Sequence, residues 1–420
     1  MKKLLYIAII FIATSAGIMG CHDNDDLLSA YKRELSKTYS QTITVEEAKK
    51  QAEDFINDII AQTRSNITKE IGDIYAWRKD QLYTLTRAES DYNSIPDTIM
   101  FIVNFKNDEG FILLSADRNK ETVLAYIEDG YMSPYEDISN PGFKMFLDGV
   151  GDFLLFGDLL LDTIPDTTGI HNPFDPGFPL EPNPRIPSPL LSTKWHQNSP
   201  FNQECPVIEG DTAVAGCAPI ATGQIFAYHR YPESYNGHTY YWDDILLGNV
   251  PQNNTGRQSV AYLIHDIGVI DHASYGVSGT SVSSNNVHLA LDSMNYHYNF
   301  SSYSFDKCES NRNNHRPVLI MGTLQNSNMG HAWVIDDTYK RYVTQTMNNG
   351  NGGTYQMTVT QKLVHCNWGW GGDCNGYFLS GVFDTQSMLF ALHEWAPPVQ
   401  GSHNYDLSYN LSIFYNVYPN

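Results

Sequence analysis

The chain has 420 residues, of which 42% are hydrophobic, and a formal net charge of −21 at pH 7. This length is sufficient for two domains with substantial hydrophobic cores. The large negative net charge argues against nucleic acids and anionic membrane surfaces as binding partners.

The first twenty residues have the parts of a bacterial export signal. Two lysines follow Met1, residues 4–18 are mostly apolar, and small residues precede Cys21, as is typical of secretory signal peptides. Ile18-Met19-Gly20-Cys21 is similar to a bacterial lipobox, which implies cleavage before Cys21 and lipidation of its thiol. We therefore predict that residues 1–20 are a lipoprotein signal peptide. The protein would be exported and held in the cell envelope, exposed at the surface or released. The alternative is a plain signal peptide before an unmodified cysteine.

Residues 41–160 carry signals for helices and strands but no catalytic motif. Thr44 to Glu47 form a capping box, followed by apolar residues that fall on one helical face: Ala48, Ala52, Phe55, Ile56 and Ile59. Residues 101–115 predict a β-hairpin around a polar turn, and residues 122–127 predict another strand. Residues 143–161 predict an apolar helix. The pattern indicates a small α+β domain.

Residues 165–189 contain eight prolines in 25 residues. Proline fixes φ and lacks a backbone N–H, so this stretch is expected to be a stiff, extended linker. Exposed linkers are preferred sites of proteolysis, and Arg185 is a candidate cleavage site. We predict that the linker separates residues 21–164 from a second domain over residues 190–420.

Gly216-Cys217-Ala218-Pro219 stands at the predicted start of a helix. Apolar residues recur after it at three- and four-residue spacing, and Pro219 suits a first helical turn. The positive end of a helix dipole lowers the pKa of a thiol, and the thiolate is the form that attacks carbonyls. Cys217 is therefore a candidate nucleophile, although a Gly-Cys pair alone is more typical of a buried structural cysteine.

Two further segments supply the groups that a thiolate needs. His331 follows Gly330 and enters an apolar run, which places it at the edge of a sheet, and Asn367-Trp368 follows another strand-like run. An imidazole can hold a thiolate as an ion pair, and a side-chain amide can fix the imidazole's tautomer and orientation. We predict that Cys217, His331 and Asn367 form a thiol-hydrolase site. The Trp368 indole would shield the Asn–His hydrogen bond from water.

The oxyanion that forms during acyl transfer also needs hydrogen-bond donors. The backbone N–H of Cys217 is one candidate, and the side-chain amide of Gln197 is another. Taken alone, Gln197 is typical of an ordinary loop residue.

At these residues the chain resembles the streptopain family of secreted bacterial cysteine peptidases, which have a papain-like fold. The resemblance covers residues 188–395, and its most specific segments are Gly330–Asp336 and Asn367–Gly372. It implies an α+β fold, in which a papain-like catalytic domain with a helical part and an antiparallel β part follows a small α+β pro-domain.

The resemblance also implies the roles of single residues. Cys217 would be the nucleophile, His331 the base and then the acid, and Asn367 the residue that orients the imidazole. Gln197 would lie in the oxyanion hole, and Trp368 would be the shield.

Two further predictions rest on the same resemblance. Residues 275–281 resemble a loop that lines the family's substrate cleft, so Ser281 and Gly330 are predicted to contact substrate. Residues 110–126 look like part of the inhibitory pro-domain found in front of these peptidases. The chain would then be a zymogen whose pro-domain blocks the cleft or displaces the His331 segment until the linker is cut.

Three features depart from the family's pattern. A polar run over residues 307–315 suggests that an expected helix is truncated, and Asp337 stands where the family usually turns with glycine. The segment between His331 and Asn367 is longer than usual. We expect its hairpin turn at residues 347–353 to project over the cleft rim and alter which substrates enter.

Assigning Cys21 to lipid and Cys217 to catalysis leaves four cysteines: Cys205, Cys308, Cys366 and Cys374. Export permits disulfides, and a Cys366–Cys374 bridge would brace the Asn-Trp turn, but four free thiols are an equal alternative. A zinc site that includes His365 lacks the paired cysteine spacing of zinc ligands. No metal or organic cofactor is expected.

These predictions describe a secreted or surface-anchored cysteine endopeptidase, made as a zymogen, that cleaves peptide bonds through an acyl-enzyme. Its expected partners are protein or peptide substrates and its own pro-domain, with membrane contact only through the lipid on Cys21. Two alternatives are a thiol amidase or acyltransferase acting on cell-wall or other amides, and a non-catalytic surface-binding lipoprotein. The intact Cys, His and Asn argue against the second.

Overall fold

A computed structural model describes these parts of the chain: residues 42–63, 69–78, 82–84, 98–118, 122–133, 137–156, 187–324, 330–348, 354–383 and 409–420. The predicted signal peptide, Cys21, linker residues 165–186 and the hairpin turn at 349–353 lie outside the described residues. The predicted domain boundaries therefore stay predictions.

The helices are α1 (Val45–Thr63), α2 (Pro141–Phe156), α3 (Cys217–His229), α4 (Trp242–Ile245), α5 (Asn254–Ile270), α6 (Leu289–Ser293) and α7 (Phe305–Asn313). The N-terminal strands are β1 (Ile71–Arg78), β2 (Leu82–Thr84), β3 (Thr98–Phe105), β4 (Phe111–Ser115) and β5 (Val123–Ile127). Four two-residue strands follow: β6 (Val207–Ile208), β7 (Asp211–Thr212), β8 (Ser234–Tyr235) and β9 (His238–Thr239). The remaining strands are β10 (Tyr296–Ser302), β11 (Val318–Leu324), β12 (Gly330–Asn348), β13 (Thr354–Asn367), β14 (Gly376–Leu379) and β15 (Tyr409–Pro419).

One antiparallel sheet of eleven strands runs through both halves of the described chain, in the order β10-β15-β11-β12-β13-β14-β5-β4-β3-β1-β2. The two halves join where β14 pairs with β5, with Tyr377 opposite Tyr126 and Phe378 opposite Ala125. Because this pairing satisfies the backbone groups of both edge strands, each half covers an exposed edge of the other.

The N-terminal part of the sheet is covered on both faces. Every residue of β4 and β5 is buried, as expected for strands between two layers. On one face the α1 residue Phe55 packs against Tyr126, with ring centroids 5.6 Å apart. On the other face the α2 residue Phe143 packs against Phe111, at 6.0 Å. The predicted capping box is confirmed, since Thr44 and Glu47 exchange backbone-to-side-chain hydrogen bonds at 2.7 and 3.2 Å.

A second hydrophobic core lies between the helices α3 and α5 and one face of the C-terminal strands. It includes Ile220 and Phe226 of α3, Ile264 of α5, and Leu319 and Val334 of β11 and β12. The helices thus form one part of this domain and the antiparallel sheet forms the other. The predicted fold, a papain-like α+β domain preceded by a small α+β domain, is confirmed.

One expectation needs correction. His331 does not lie at a sheet edge, because β12 pairs with β11 on one side and β13 on the other. The polar run forms helix α7 over Phe305–Asn313, and this helix buries Arg312. Its truncation relative to the family stays a prediction. The described part of the long β12–β13 hairpin contacts α1, where Tyr339 packs on Phe55. Residues 349–353 of its turn lie outside the described residues, so the predicted position of the turn over the cleft rim stays a prediction. Among the described residues, no helix combines the length and the apolar character needed to cross a membrane.

Candidate active site

Cys217 lies at the first position of α3, as predicted. The residue before it, Gly216, has φ 92°, and a Cβ there would lie 3.0 Å from the Thr280 methyl group. Only glycine combines this backbone conformation with such a close approach. The predicted cleft loop, residues 275–281, therefore packs directly against the residue that precedes Cys217.

The Cys217 thiol is not paired with an imidazole in this structure. Burial raises the pKa of the thiol, and the backbone N–H groups of Ala332, Ala218 and Cys217 itself only partly oppose this effect. Ala332 is the residue after His331, so the main chain of β12 reaches the thiol although the imidazole turns away. A buried, unpaired thiol is a poor nucleophile.

The His331 imidazole is turned toward Trp368. Its Nε2 lies 2.9 Å from the Trp368 carbonyl oxygen, and the side chain is buried. Because a carbonyl only accepts, Nε2 carries the proton in this contact. Burial lowers the pKa of His331 to about 4, with the Trp368 carbonyl acting in the opposite direction. The imidazole is therefore neutral near pH 7.

The first turn of α2 holds the imidazole in this position. Asn140 caps the helix, because its Oδ1 accepts from the N–H groups of Gly142 and Phe143 at 3.0 and 3.1 Å. Its Nδ2 donates to the Asp373 carbonyl at 2.7 Å, which ties the cap to the C-terminal domain. A Cβ at Gly142 would lie only 2.7 Å from Cδ2 of His331. The backbone of α2 therefore rests directly on the ring.

Asn367 lies near these residues but has other partners. Its Nδ2 donates to the Thr193 carbonyl at 2.7 Å, and its Oδ1 accepts from Gln224 Nε2 at 3.3 Å and from the Gly369 N–H at 3.2 Å. Because its side chain has these partners and His331 is bonded to Trp368, the predicted Asn–His hydrogen bond is not formed in this structure.

The Trp368 indole is fully buried. It packs against Trp333 with ring centroids 5.0 Å apart and against Phe378 at 5.1 Å, and its Nε1 donates to the Cys374 carbonyl at 2.9 Å. The indole is therefore part of the buried aromatic layer beside His331, with the two ring centroids 6.5 Å apart. Its role as a shield of the Asn–His hydrogen bond stays a prediction.

Gln197 lies in an open cleft beside the site. Its backbone carbonyl accepts from the Ala215 N–H at 2.8 Å, which anchors it two residues from Cys217. The cleft has a volume of about 350 Å³ and is lined by His196, Gln197, Asn198, Val214, Ser278, Trp370 and Gly371.

Comparisons with known proteins agree with this arrangement. Residues 195–378 match the Peptidase C10 family, and residues 40–152 match the Spi protease inhibitor family. Streptopain of Streptococcus pyogenes is 24% identical over 327 residues, covering 66% of this chain and 73% of that protein. Residues 195–378 thus form a cysteine peptidase domain of the C10 family, similar to streptopain. This confirms the predicted family and the predicted enzyme type, a cysteine-type endopeptidase.

Two other known proteins are similar to this chain. The thiol protease/hemagglutinin PrtT of Porphyromonas gingivalis is 24% identical over 375 residues, which cover 78% of this chain but 39% of that protein. A mutant prointerpain A fragment from Prevotella intermedia has the same fold, with a TM-score of 0.54 and 18% identity over 84% of this chain and all of that fragment. The C10 peptidase domain is thus preceded by a pro-domain of inhibitor type.

The two predicted substrate contacts lie at the surface of the C10 domain. Ser281 is exposed and exchanges backbone hydrogen bonds with Ser274 at 2.8 and 3.1 Å, which closes the cleft loop. Gly330 is exposed at the start of β12, opposite Thr323. Their contact with substrate stays a prediction.

The described cysteines are all free: Cys205, Cys217, Cys308, Cys366 and Cys374. Cys366 is buried, whereas the Cys374 thiol donates to Asp373 at 3.5 Å. Of the two alternatives given by the sequence, the structure therefore has the free thiols and not the Cys366–Cys374 bridge. His365 binds Asp336 through Nδ1 at 2.5 Å. Within the described residues, no group of three or more histidine, cysteine or acidic side chains is placed to hold a metal ion.

Sequence reasoning did not find Gly142 or the buried charges around Asp336 and Asp337. A glycine after Asn140-Pro141 gives no periodic or motif signal, because its importance depends on a histidine far along the chain. Asp337 did carry a signal, its departure from the family's glycine, but the sequence did not indicate its partners.

Proposed function

We propose that this protein is an exported cysteine endopeptidase made as a zymogen, with Cys217 as nucleophile and His331 as base and then acid. The observation that carries the proposal is the position of Gly142 against His331. Helix α2 of the pro-domain occupies the space beside the imidazole, while the thiol next to the His331 backbone stays unpaired. The catalytic residues are thus neighbours in the fold, but the imidazole does not pair with the thiol while α2 is in place.

Activation begins when the linker over residues 165–189 is cut and α2 leaves. The His331 ring then loses its Gly142 contact and rotates from the Trp368 carbonyl toward Cys217. It takes the thiol proton, and the resulting imidazolium stabilises the thiolate. Asn367 lies at the end of β13, opposite Val334 in the register with β12, and from there its Oδ1 accepts from the rotated ring and fixes its tautomer.

Catalysis follows in two steps. The thiolate attacks the peptide carbonyl carbon, and the oxyanion accepts hydrogen bonds from the Cys217 N–H and the Gln197 amide. His331 gives its proton to the leaving amine, which releases one product and leaves a thioester. A water molecule, deprotonated by His331, attacks the thioester, and the thiolate leaves.

Export and anchoring form a second part of the proposal. Before Cys21 the chain has two lysines, then an apolar stretch, then small residues. This order supports cleavage before Cys21 and attachment of lipid to its thiol. Labelling of cells with a fatty acid should mark the wild-type protein and leave a Cys21→Ser variant unlabelled. Equal labelling of both would exclude the anchor without affecting the catalytic proposal.

The catalytic proposal is tested with purified precursor. Wild-type and Cys217→Ala precursors are incubated and their intact masses followed, then both are treated with a peptide epoxide. We expect the wild type to lose about the mass of the pro-domain and then to bind one epoxide. The Cys217→Ala variant should keep its full mass and bind no epoxide. A processed wild-type chain that neither binds the epoxide nor cleaves casein would overturn the proposal.

The same experiment separates the alternatives. Cleavage of short cell-wall peptides without cleavage of casein would favour an amidase. Labelling at a cysteine other than Cys217 would remove the assigned nucleophile.

A further inference from the structure

The carboxylate of Asp337 is fully buried and accepts hydrogen bonds from at least four donors in the described part of the chain. Its Oδ1 accepts from Arg312 Nε at 2.9 Å and from the Thr338 N–H at 2.8 Å. Its Oδ2 accepts from the Tyr377 hydroxyl at 2.7 Å and from the Ser188 N–H at 2.6 Å. A buried carboxylate is tolerated only when it is paired and hydrogen-bonded in this way. Three of these donors come from segments far apart in the chain, so Asp337 is where those segments meet.

Both backbone polar groups of Ser188 are bound at this point. The Ser188 N–H donates to Asp337, and the Ser188 carbonyl oxygen accepts from Arg312 Nη2 at 2.5 Å. Asp336 continues the contact, since its carbonyl accepts from the Leu190 N–H at 3.2 Å and its Oδ2 from the Leu191 N–H at 2.8 Å. The Ser188 side chain itself is exposed. The segment is therefore held by its main chain, at the C-terminal end of the proline-rich linker.

The held segment leads to the oxyanion-hole candidate. Between Leu191 and Gln197 the chain is fixed by three further hydrogen bonds at its carbonyl oxygens: Thr193 with Asn367 Nδ2, Trp195 with the Gly371 N–H, and Gln197 with the Ala215 N–H. A chain that is anchored at both ends and along its length keeps its side chains in place at a low entropic cost. The first anchor of this series is the Asp337–Arg312 pair.

We propose that Asp337 and Arg312 form a binding site for the C-terminal end of the activation linker, and that this site sets the N-terminal limit of the mature enzyme. Its ligand is an extended peptide backbone with one free N–H and one free carbonyl at position 188. Proteolysis requires a mobile, accessible backbone, so cutting stops upstream of this site. Asp337 is a positioning residue, which acts on Gln197 through residues 188–197. The inference rests on the proposed zymogen processing, but its first test does not.

That test changes the ligand and leaves the buried pair intact. Ser188→Pro removes the N–H that Asp337 accepts, and Ser188→Ala keeps it. Both changes are made in the Cys217→Ala precursor, which is treated with proteinase K, and the N-terminus of the resistant fragment is read by intact mass. Because the external protease makes the cut, the result does not depend on catalysis by the chain itself.

We expect the parent and Ser188→Ala fragments to begin upstream of residue 188. The Ser188→Pro fragment should be trimmed into residues 188–194, at a rate about tenfold higher, because a charge-assisted hydrogen bond is lost. In the processed enzyme with Cys217 intact, Ser188→Pro should lower kcat about fivefold with KM unchanged. Identical N-termini and trimming rates for the two variants would overturn the proposal, and so would an equal kcat. Equal thermal unfolding of the two variants is the check that the Ser188→Pro change leaves the fold intact.

Discussion

Gly142 of the pro-domain packs directly against His331 of the peptidase domain, and this close approach is possible because glycine has no Cβ. A Cβ at position 142 would lie 2.7 Å from Cδ2 of His331 and closer still to the Trp368 ring. Both rings are buried and packed, so neither can move aside at low cost. The docking of α2 and the turned-away position of the imidazole therefore depend on each other.

Gly142→Ala should raise the activity of the uncut precursor. The added methyl group clashes with His331 and Trp368, which weakens α2 docking and lets the imidazole reach Cys217. The measurement is epoxide labelling of uncut precursor, read by intact mass. Gly149→Ala makes the same change in the same helix, where the nearest atom is a Val382 methyl group at 3.1 Å. It should label no faster than wild type, and equal labelling of both variants would contradict the coupling.

Alkylation of Cys217 should depend on pH differently before and after processing. In the precursor, burial raises the thiol pKa, and His331 is neutral because burial lowers its pKa to about 4. A raised pKa means less thiolate at any given pH, so alkylation by iodoacetamide should be slow at about pH 6 and increase toward alkaline pH. In the processed enzyme the ion pair should keep the reaction fast at about pH 6. The Cys217→Ala protein gives the background from other thiols, and matching pH profiles would refute the prediction.

His365 should make the precursor less stable as the pH rises above neutral. Burial alone would lower its pKa, but Asp336 and Glu128 outweigh burial and raise it to about 10. A histidine with a raised native pKa stabilises fully below its unfolded pKa of about 6.5, and this contribution is lost as the pH approaches 10. Urea unfolding of the Cys217→Ala precursor between about pH 6 and 9 should show this decline, and His365→Gln should flatten it.

The matched control for His365 is His229→Gln. Burial lowers the pKa of His229 to about 4, so this imidazole is neutral in both the folded and the unfolded chain above about pH 7. In His229→Gln, the free energy of unfolding should fall with pH as steeply as in the parent protein. If the fall with pH remains in His365→Gln, it is caused by a group other than His365.

Phe55→Ala should destabilise the precursor by about 3–5 kcal/mol, the usual cost of removing a buried phenylalanine. Phe55 is fully buried between Tyr126 and Tyr339, with the Arg341 guanidinium 4.8 Å from its ring centroid. Phe300 is 55% exposed, and Phe300→Ala should stay within about 0.5 kcal/mol. Urea unfolding of the Cys217→Ala precursor measures both. Similar losses would show that the β12–β13 hairpin does not hold α1.

Gln197→Ala should lower kcat of the processed enzyme by about 10²–10³-fold, because one oxyanion donor is lost. Alkylation of Cys217 should be unchanged, since the amide acts only on the oxyanion. Gln203→Ala removes an exposed amide nearby, whose side chain contacts only Ser199 in the described chain, and should retain wild-type kcat. A loss of alkylation together with kcat would instead indicate that Gln197 holds the fold of the cleft.

Local patterns in the sequence were enough to find several elements. The capping box at Thr44 places the start of α1, and the spacing after Cys217 predicts α3, because helix periodicity and capping act over a few neighbouring residues. The chemistry of Cys217, His331 and Asn367 was also indicated locally, by their residue types and the few residues beside each of them. The apolar run after His331 was correctly assigned to a strand but wrongly to a sheet edge, since the neighbours of a strand are not encoded within it.

The amino-acid sequence was enough to identify the reactive groups, the type of most elements and the likeness to a peptidase with a pro-domain. The three-dimensional arrangement was needed to show that β14 pairs with β5, that Gly142 rests on His331, and that Asp337 binds the Ser188 backbone. The residues of each of these pairs are more than a hundred positions apart. Contacts of this kind depend on which surfaces are buried together and on which polar groups must then find partners, and short-range periodicity carries no record of either.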